Sequence, residues 1–142
     1  MANVSLSGLD ELFNDLSAIS ELPDEVALSM LTAEAEVIQE AQTAEARAML
    51  GGSYSTGKTA QSIKHSKSLK VRDGERCLYV YPMGTRKDGN TRRAAEVAYV
   101  NEYGKDNQPA RPFIRTANEK AGDAAVAAAA VVYDEYLKSK NL

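Results

Sequence analysis

A single cysteine and a single histidine occur in 142 residues, and these two scarcities remove several kinds of chemistry together. Cys77 has no second cysteine in its chain, so an internal disulfide is excluded. His65 alone cannot supply a histidine-rich metal site, and no local signature around it supports a Ser-His-Asp set. We read His65 as an exposed residue at a strand edge and Cys77 as a small apolar strand residue rather than a nucleophile. Long apolar runs are missing too. The best, AAVAAAAVV from Ala124 to Val132, is bracketed by Asp123 and Asp134 and falls short of the roughly 20 residues that a bilayer span needs. It reads as one face of a buried helix. The start, MANVSLSGLDEL, lacks the basic residues and apolar block of a signal peptide, so cytosolic synthesis is expected.

Charge is present but unevenly placed. Residues 1–50 carry a net −9, residues 51–93 a net +7 and residues 94–142 a net −1. Blocks of opposite sign can meet within one fold or between neighbouring copies, and a basic block can also meet phosphates.

The pattern along the chain predicts one α+β domain over residues 1–142, with two long helices and short helices packed on a small antiparallel β-hairpin. Ser7 to Asp10 reads as a helix start followed by the face Leu9, Leu12, Phe13 and Leu16, giving a peripheral N-terminal helix over 1–22. Pro23 suits the first turn of a second helix. Its stripe of Val26, Met30, Ala33, Val37, Ala41, Ala44 and Ala48 runs to Leu50, where Gly51 and Gly52 are expected to stop it in the left-handed conformation. Glu34, Glu36 and Glu40 belong to its wet face. A short polar helix follows near Lys58 to Lys64. Leu69 and Val71, then Leu78 and Val80, alternate on either side of Asp73-Gly74, a strong hairpin signal that sets Leu69 opposite Leu78. Pro82 ends the second strand. Met83 to Arg93 is expected to be an exposed, mobile basic loop. Ala94 to Tyr103 suggests a short helix closed by Gly104, although Tyr99 and Val100 also suit a strand. Pro112 opens a last helix with the small-residue seam Ile114, Ala117, Ala121, Ala125, Ala128 and Val132, which is expected to pack on the alanines of the earlier long helix.

One motif invites a catalytic reading. Gly52 to Thr59 matches G-x-x-x-x-G-K-[ST], a phosphate-binding pattern that needs a buried strand before it and a helix after it. The preceding IQEAQTAEARAML is helical in period, and CLYVY, the only run resembling the second strand such a site needs, ends in Pro82 rather than in an aspartate for magnesium. We therefore read Gly51 and Gly52 as a helix stop, Thr56 or Ser55 as the next cap, and Lys58 as a solvated side chain. No catalytic residue, metal or cofactor is expected.

AYVNEYGKDNQPARPFIRTA, Ala98 to Ala117, resembles the YVEFGT and PARPFLRPA segments of the neck, or tail-completion, proteins of long-tailed bacteriophages. STGKTAQSI, Ser55 to Ile63, is similar to that family's TG-x-x-x-x-SI element, with Lys58 and Ala60 standing where arginine and leucine are commoner. The order of elements agrees over roughly residues 24–140. The resemblance implies a non-enzymatic virion protein of the head-to-tail junction, assembled in the host cytoplasm as a homo-oligomeric ring. Six or twelve copies suit such a ring. Its implied partners are a portal-side head-closure protein, the tail terminator and the tail tube protein, with double-stranded DNA passing through the channel. The motif residues are Gly57, Ser62, Ile63, Tyr99, Val100, Tyr103, Gly104, Pro109, Arg111, Pro112 and Phe113. Pro109 and Pro112 would stiffen the joint before the last helix. Tyr99, Tyr103 and Phe113 serve either the core of one subunit or a contact between subunits. The basic residues Lys67, Lys70, Arg72, Arg86, Lys87, Arg92 and Arg93 are candidates for contact with an acidic neighbour or with DNA. Two alternatives stand beside this reading: the tail terminator itself, and a nucleic-acid-binding module built on residues 51–93.

Overall fold

The computed structural model describes residues 12, 22–52, 56–85 and 93–142. Of the expected N-terminal helix only Leu12 and Leu22 fall among them, and Ser55 and loop residues 86–92 lie outside. The fold is α+β. In chain order it comprises α1 (Asp24–Met49), α2 (Lys58–Ser62), β1 (Ile63–His65), β2 (Lys70–Arg72), β3 (Glu75–Cys77), β4 (Val80–Pro82), α3 (Ala94–Tyr103) and α4 (Phe113–Ser139).

α1 starts one residue later than expected. Pro23 is its N-cap, with its carbonyl accepting the Ala27 N–H at 3.0 Å. Asp24 and Glu25 in the first turn and Arg47 in the last complement the helix dipole. The stop at Gly51 has a different cause from the one expected. Its φ is not positive; instead a Cβ there would lie 2.8 Å from the Arg47 carbonyl oxygen, so close backbone approach is what excludes a side chain.

α1 and α4 lie antiparallel. Gln42 Nε2 donates to Asn118 Oδ1 at 2.9 Å and Lys120 pairs with Glu45 at one end, while Ala27 and Met30 approach Ala129 and Tyr133 at the other. The buried seam consists of Ala27, Ala35, Gln42 and Ala46 against Ala117, Ala121, Ala125 and Ala129. Methyl side chains let the two backbones approach closely, and contact along both helices gains dispersion energy without side-chain entropy cost. The expected stripe of α1 is turned by about one residue, leaving Ala44 and Ala48 exposed and Val26, Met30, Ala33, Val37 and Ala41 half-buried at its flank. On α4 three of the expected alanines hold, Ala129 replaces Ala128, and Phe113 rather than Ile114 is fully buried.

The Asp73-Gly74 turn forms as expected. Asp73 has φ 52° and Gly74 φ 81°, the paired left-handed conformations of a two-residue hairpin turn. β2 and β3 pair antiparallel with Lys70 opposite Cys77, a register that carries Leu69 to Leu78. The hairpin is longer than predicted, because β1 pairs with β4, Ile63 opposite Pro82. The two ladders differ in register by two residues, which places Lys67 and Ser68 as extra residues in the first arm. Ser66 makes the break: its N–H bonds the Tyr79 carbonyl at 2.9 Å while its Oγ accepts the Tyr79 N–H at 3.0 Å. A hydroxyl thus takes a donor that a continuous ladder would have used.

Candidate functional site

The motif segments meet at one end of the helix pair. Ala46 of α1, Ala60 and Ile63 from the TG-x-x-x-x-SI element, Ala98 of α3 and Phe113 form one buried cluster, with Met49, Leu50, Val80 and Ile114 against it. Gly57 is the N-cap of α2 with φ 69°, a left-handed position that favours glycine. It takes the cap position assigned to Thr56 or Ser55. Ser62 closes the α2 turn by donating to the Thr59 carbonyl at 2.7 Å, and its own carbonyl accepts the Met83 N–H at 2.8 Å. Lys58 is half-buried beside Thr59, Gln61 and Met83 rather than freely solvated. The segment leading into Gly51 is α1, so a helix stands where the phosphate-binding pattern requires a strand.

The second motif builds a braced elbow between α3 and α4. α3 ends at Tyr103, and Gly104 turns the chain at φ 77°, ψ 178°, a region open only to glycine. A Cβ at this position would lie 2.7 Å from the Gln108 carbonyl oxygen and 2.8 Å from the Ala110 nitrogen. Lys105 and Gln108 then exchange two backbone hydrogen bonds at 2.9 Å. Asn101 gathers the returning chain: its carbonyl accepts the Arg111 N–H at 2.6 Å, and its Oδ1 accepts from Gln108 Nε2 and Arg111 Nη2, both at 2.9 Å. Val100 is half-buried and its carbonyl accepts the Gly104 N–H at 2.8 Å. Pro109 is exposed, Pro112 caps α4, and Phe113 is 0% exposed.

Glu102, only 8% exposed, completes the elbow. Its carboxylate oxygens accept the N–H groups of Ile114 at 2.9 Å and Arg115 at 3.0 Å. These are donors of the first turn of α4 that have no partner within that helix, and the negative charge sits at the positive end of the α4 dipole. The cap comes from another helix, so no local capping pattern marks it. Glu102, Asn101 and Gln108 were not among the expected site residues, although all three stand inside the segment that carries the resemblance.

The aromatics divide. Phe113 is core, whereas Tyr99 and Tyr103 are 64% and 68% exposed, one turn apart on α3 with ring centroids 4.7 Å apart. Tyr99 and Val100 are helical, not strand. Of the basic candidates, Lys67, Lys70 and Arg72 are exposed on the hairpin and Arg93 is exposed as the N-cap of α3. Arg93 also bridges to Thr85 across the base of the loop. Arg86, Lys87 and Arg92 lie outside the described residues. His65 is half-buried in β1, with Nδ1 2.9 Å from the Ser66 carbonyl, and Cys77 is half-buried at the end of β3. Among the described residues no helix is long and apolar enough to cross a membrane.

No family model, curated protein or solved structure matches this chain.

Proposed function

We propose that this chain is a structural subunit of the phage head-to-tail junction, a neck or tail-completion protein that assembles with copies of itself into a ring around the DNA channel. The observation that carries the reading is the division of labour in the resembling segment. Phe113, Ile63 and Ala98 lock its parts into one core, Glu102 and Asn101 brace its elbow, and Tyr99 and Tyr103 are left facing outward as a rigid aromatic pair. Exposed aromatics on a braced helix suit anchoring in a partner's pocket. The head-closure protein, tail terminator and tail tube protein are the proposed neighbours, and the virion the proposed location.

The charge split supports a head-to-tail contact between copies. The acidic residues 1–50 of one subunit would meet Lys67, Lys70 and Arg72 on the hairpin of the next, guiding encounter and register more than adding affinity. Reversing those three residues to Glu is expected to leave a folded monomer and to impair assembly, measured by light scattering; normal rings from that variant would remove charge pairing from the account. Electron microscopy of particles made without this protein tests the function itself. Separate DNA-filled heads and finished tails are expected, whereas intact virions would overturn the reading.

A further inference from the structure

The faces of α1 and α4 nearest the hairpin do not close over one another. Two cavities of about 660 and about 420 Å³ share Leu31, Glu34 and Val126, and so form one trough. Leu78 and Val80 of the hairpin wall it at one end and Tyr133 at the other. Between Ala27 and Gln42 it follows α1 for roughly 22 Å. Its lining is mainly apolar, and Val126 is 62% exposed. An apolar channel of this length, left in water, marks a surface that another element covers.

We propose that the trough seats residues 8–21 of a second copy of this chain. The pattern of the occupant matches the channel: Leu9, Leu12, Phe13 and Leu16 recur at helical spacing, and the first 21 residues carry Asp10, Glu11, Asp15 and Glu21 with no lysine or arginine. Lys67, Lys70 and Arg72 are exposed on the same hairpin, but the charged residues lining the trough itself are Glu34, Glu75 and Arg76, so the apolar lining rather than charge matches the arm to its seat. The exit point of the arm is also fixed. Arg76 Nη1 donates to the Leu22 carbonyl at 2.8 Å and to Asp24 Oδ1 at 2.9 Å, and Leu22 itself lines the end of the channel. The choice of a second copy over the same chain rests on Leu12, a member of the apolar stripe, which is 52% exposed. A same-chain seat would bury it. Each copy then gives one arm and receives one, a head-to-tail exchange whose repetition can close a ring.

The inference rests on self-association of the chain, as the ring reading does, and the experiment separates the two. In a Cys77→Ser background, Leu12→Cys and Val126→Cys chains are prepared separately, mixed by dilution and reconcentration, and oxidised with diamide. Leu16→Cys and Tyr133→Cys provide a second pair. Seating raises the local thiol concentration to the millimolar range, so at about 10 µM chain the mixed dimer should form on the order of 100-fold faster than with Lys105→Cys as acceptor. Equal rates for the two acceptors overturn the proposal. So does an internal disulfide in the Leu12→Cys/Val126→Cys double variant with no mixed dimer, which would place the arm on its own chain. Rings by light scattering without the cross-link would remove arm exchange and leave the ring reading standing; a chain monomeric at every concentration would remove both.

Discussion

Replacing Glu102 tests whether the elbow is held as described. Its carboxylate satisfies two backbone N–H groups at the start of α4 from a site 8% exposed. A hydrogen bond to a charged group contributes about 1.5–3 kcal/mol. Taking the lower end for each, Glu102→Ala should cost about 3 kcal/mol, because neither donor gains a new partner and the dipole loses its counter-charge. Glu102→Gln keeps one acceptor oxygen and turns an NH₂ group toward the other donor, so about half that loss is expected. For a chain of this size 3 kcal/mol corresponds to a Tm lowered by roughly 10 °C, and to a urea midpoint lowered by about 1.5 M at a slope of about 2 kcal/mol/M. Urea unfolding followed by far-ultraviolet circular dichroism reads both variants. If Glu102→Ala moves the midpoint by less than about 0.3 M with an unchanged slope, the carboxylate is not what holds α4 and the elbow argument fails.

Gly104→Ala should be at least as damaging, about 3 kcal/mol or more, since it combines a backbone region closed to side chains with contacts of 2.7 and 2.8 Å; thermal melts and soluble yield would report it. Gln42→Met should stabilise by about 1 kcal/mol in urea unfolding, because Gln42 Oε1 is buried without a partner and Asn118, its other contact, is exposed to solvent. Tyr99→Ser with Tyr103→Ser should leave monomer stability within about 1 kcal/mol, the worth of one aromatic pair, while assembly measured by sedimentation is lost; unchanged assembly would assign the pair no role between subunits.

Much of the fold is legible in the amino-acid sequence. Asp73-Gly74 was legible because left-handed conformations at two successive positions strongly select those residues. Gly104 is legible as a helix stop, whereas for Phe113 the sequence leaves core and subunit contact both open. The face of α1 was misjudged because alanines occur on several sides of that helix, so periodicity has little contrast, and because Gln42 sits in the seam where an apolar residue is expected. β1 was missed for another reason. Three residues directly after a helix are too few to show alternation, and their partner lies across a break made by a serine side chain. The Glu102 clamp is invisible to any local rule, since acceptor and donors are on different helices. Tyr99 and Tyr103 at helical spacing read the same whether they face inward or outward, and only packing decides.

The clamp has a mechanical consequence. Acceptor and donors belong to different rods, so pressure against the tyrosines cannot be absorbed by a soft corner and is passed to α4 as torque. With 27 residues in that helix, a tilt of roughly 5° at Glu102 would carry the far tip by about 3.5 Å along a lever about 40 Å long. α1, packed against it, would travel with it, so a small displacement on one side of the subunit would be delivered enlarged at the other.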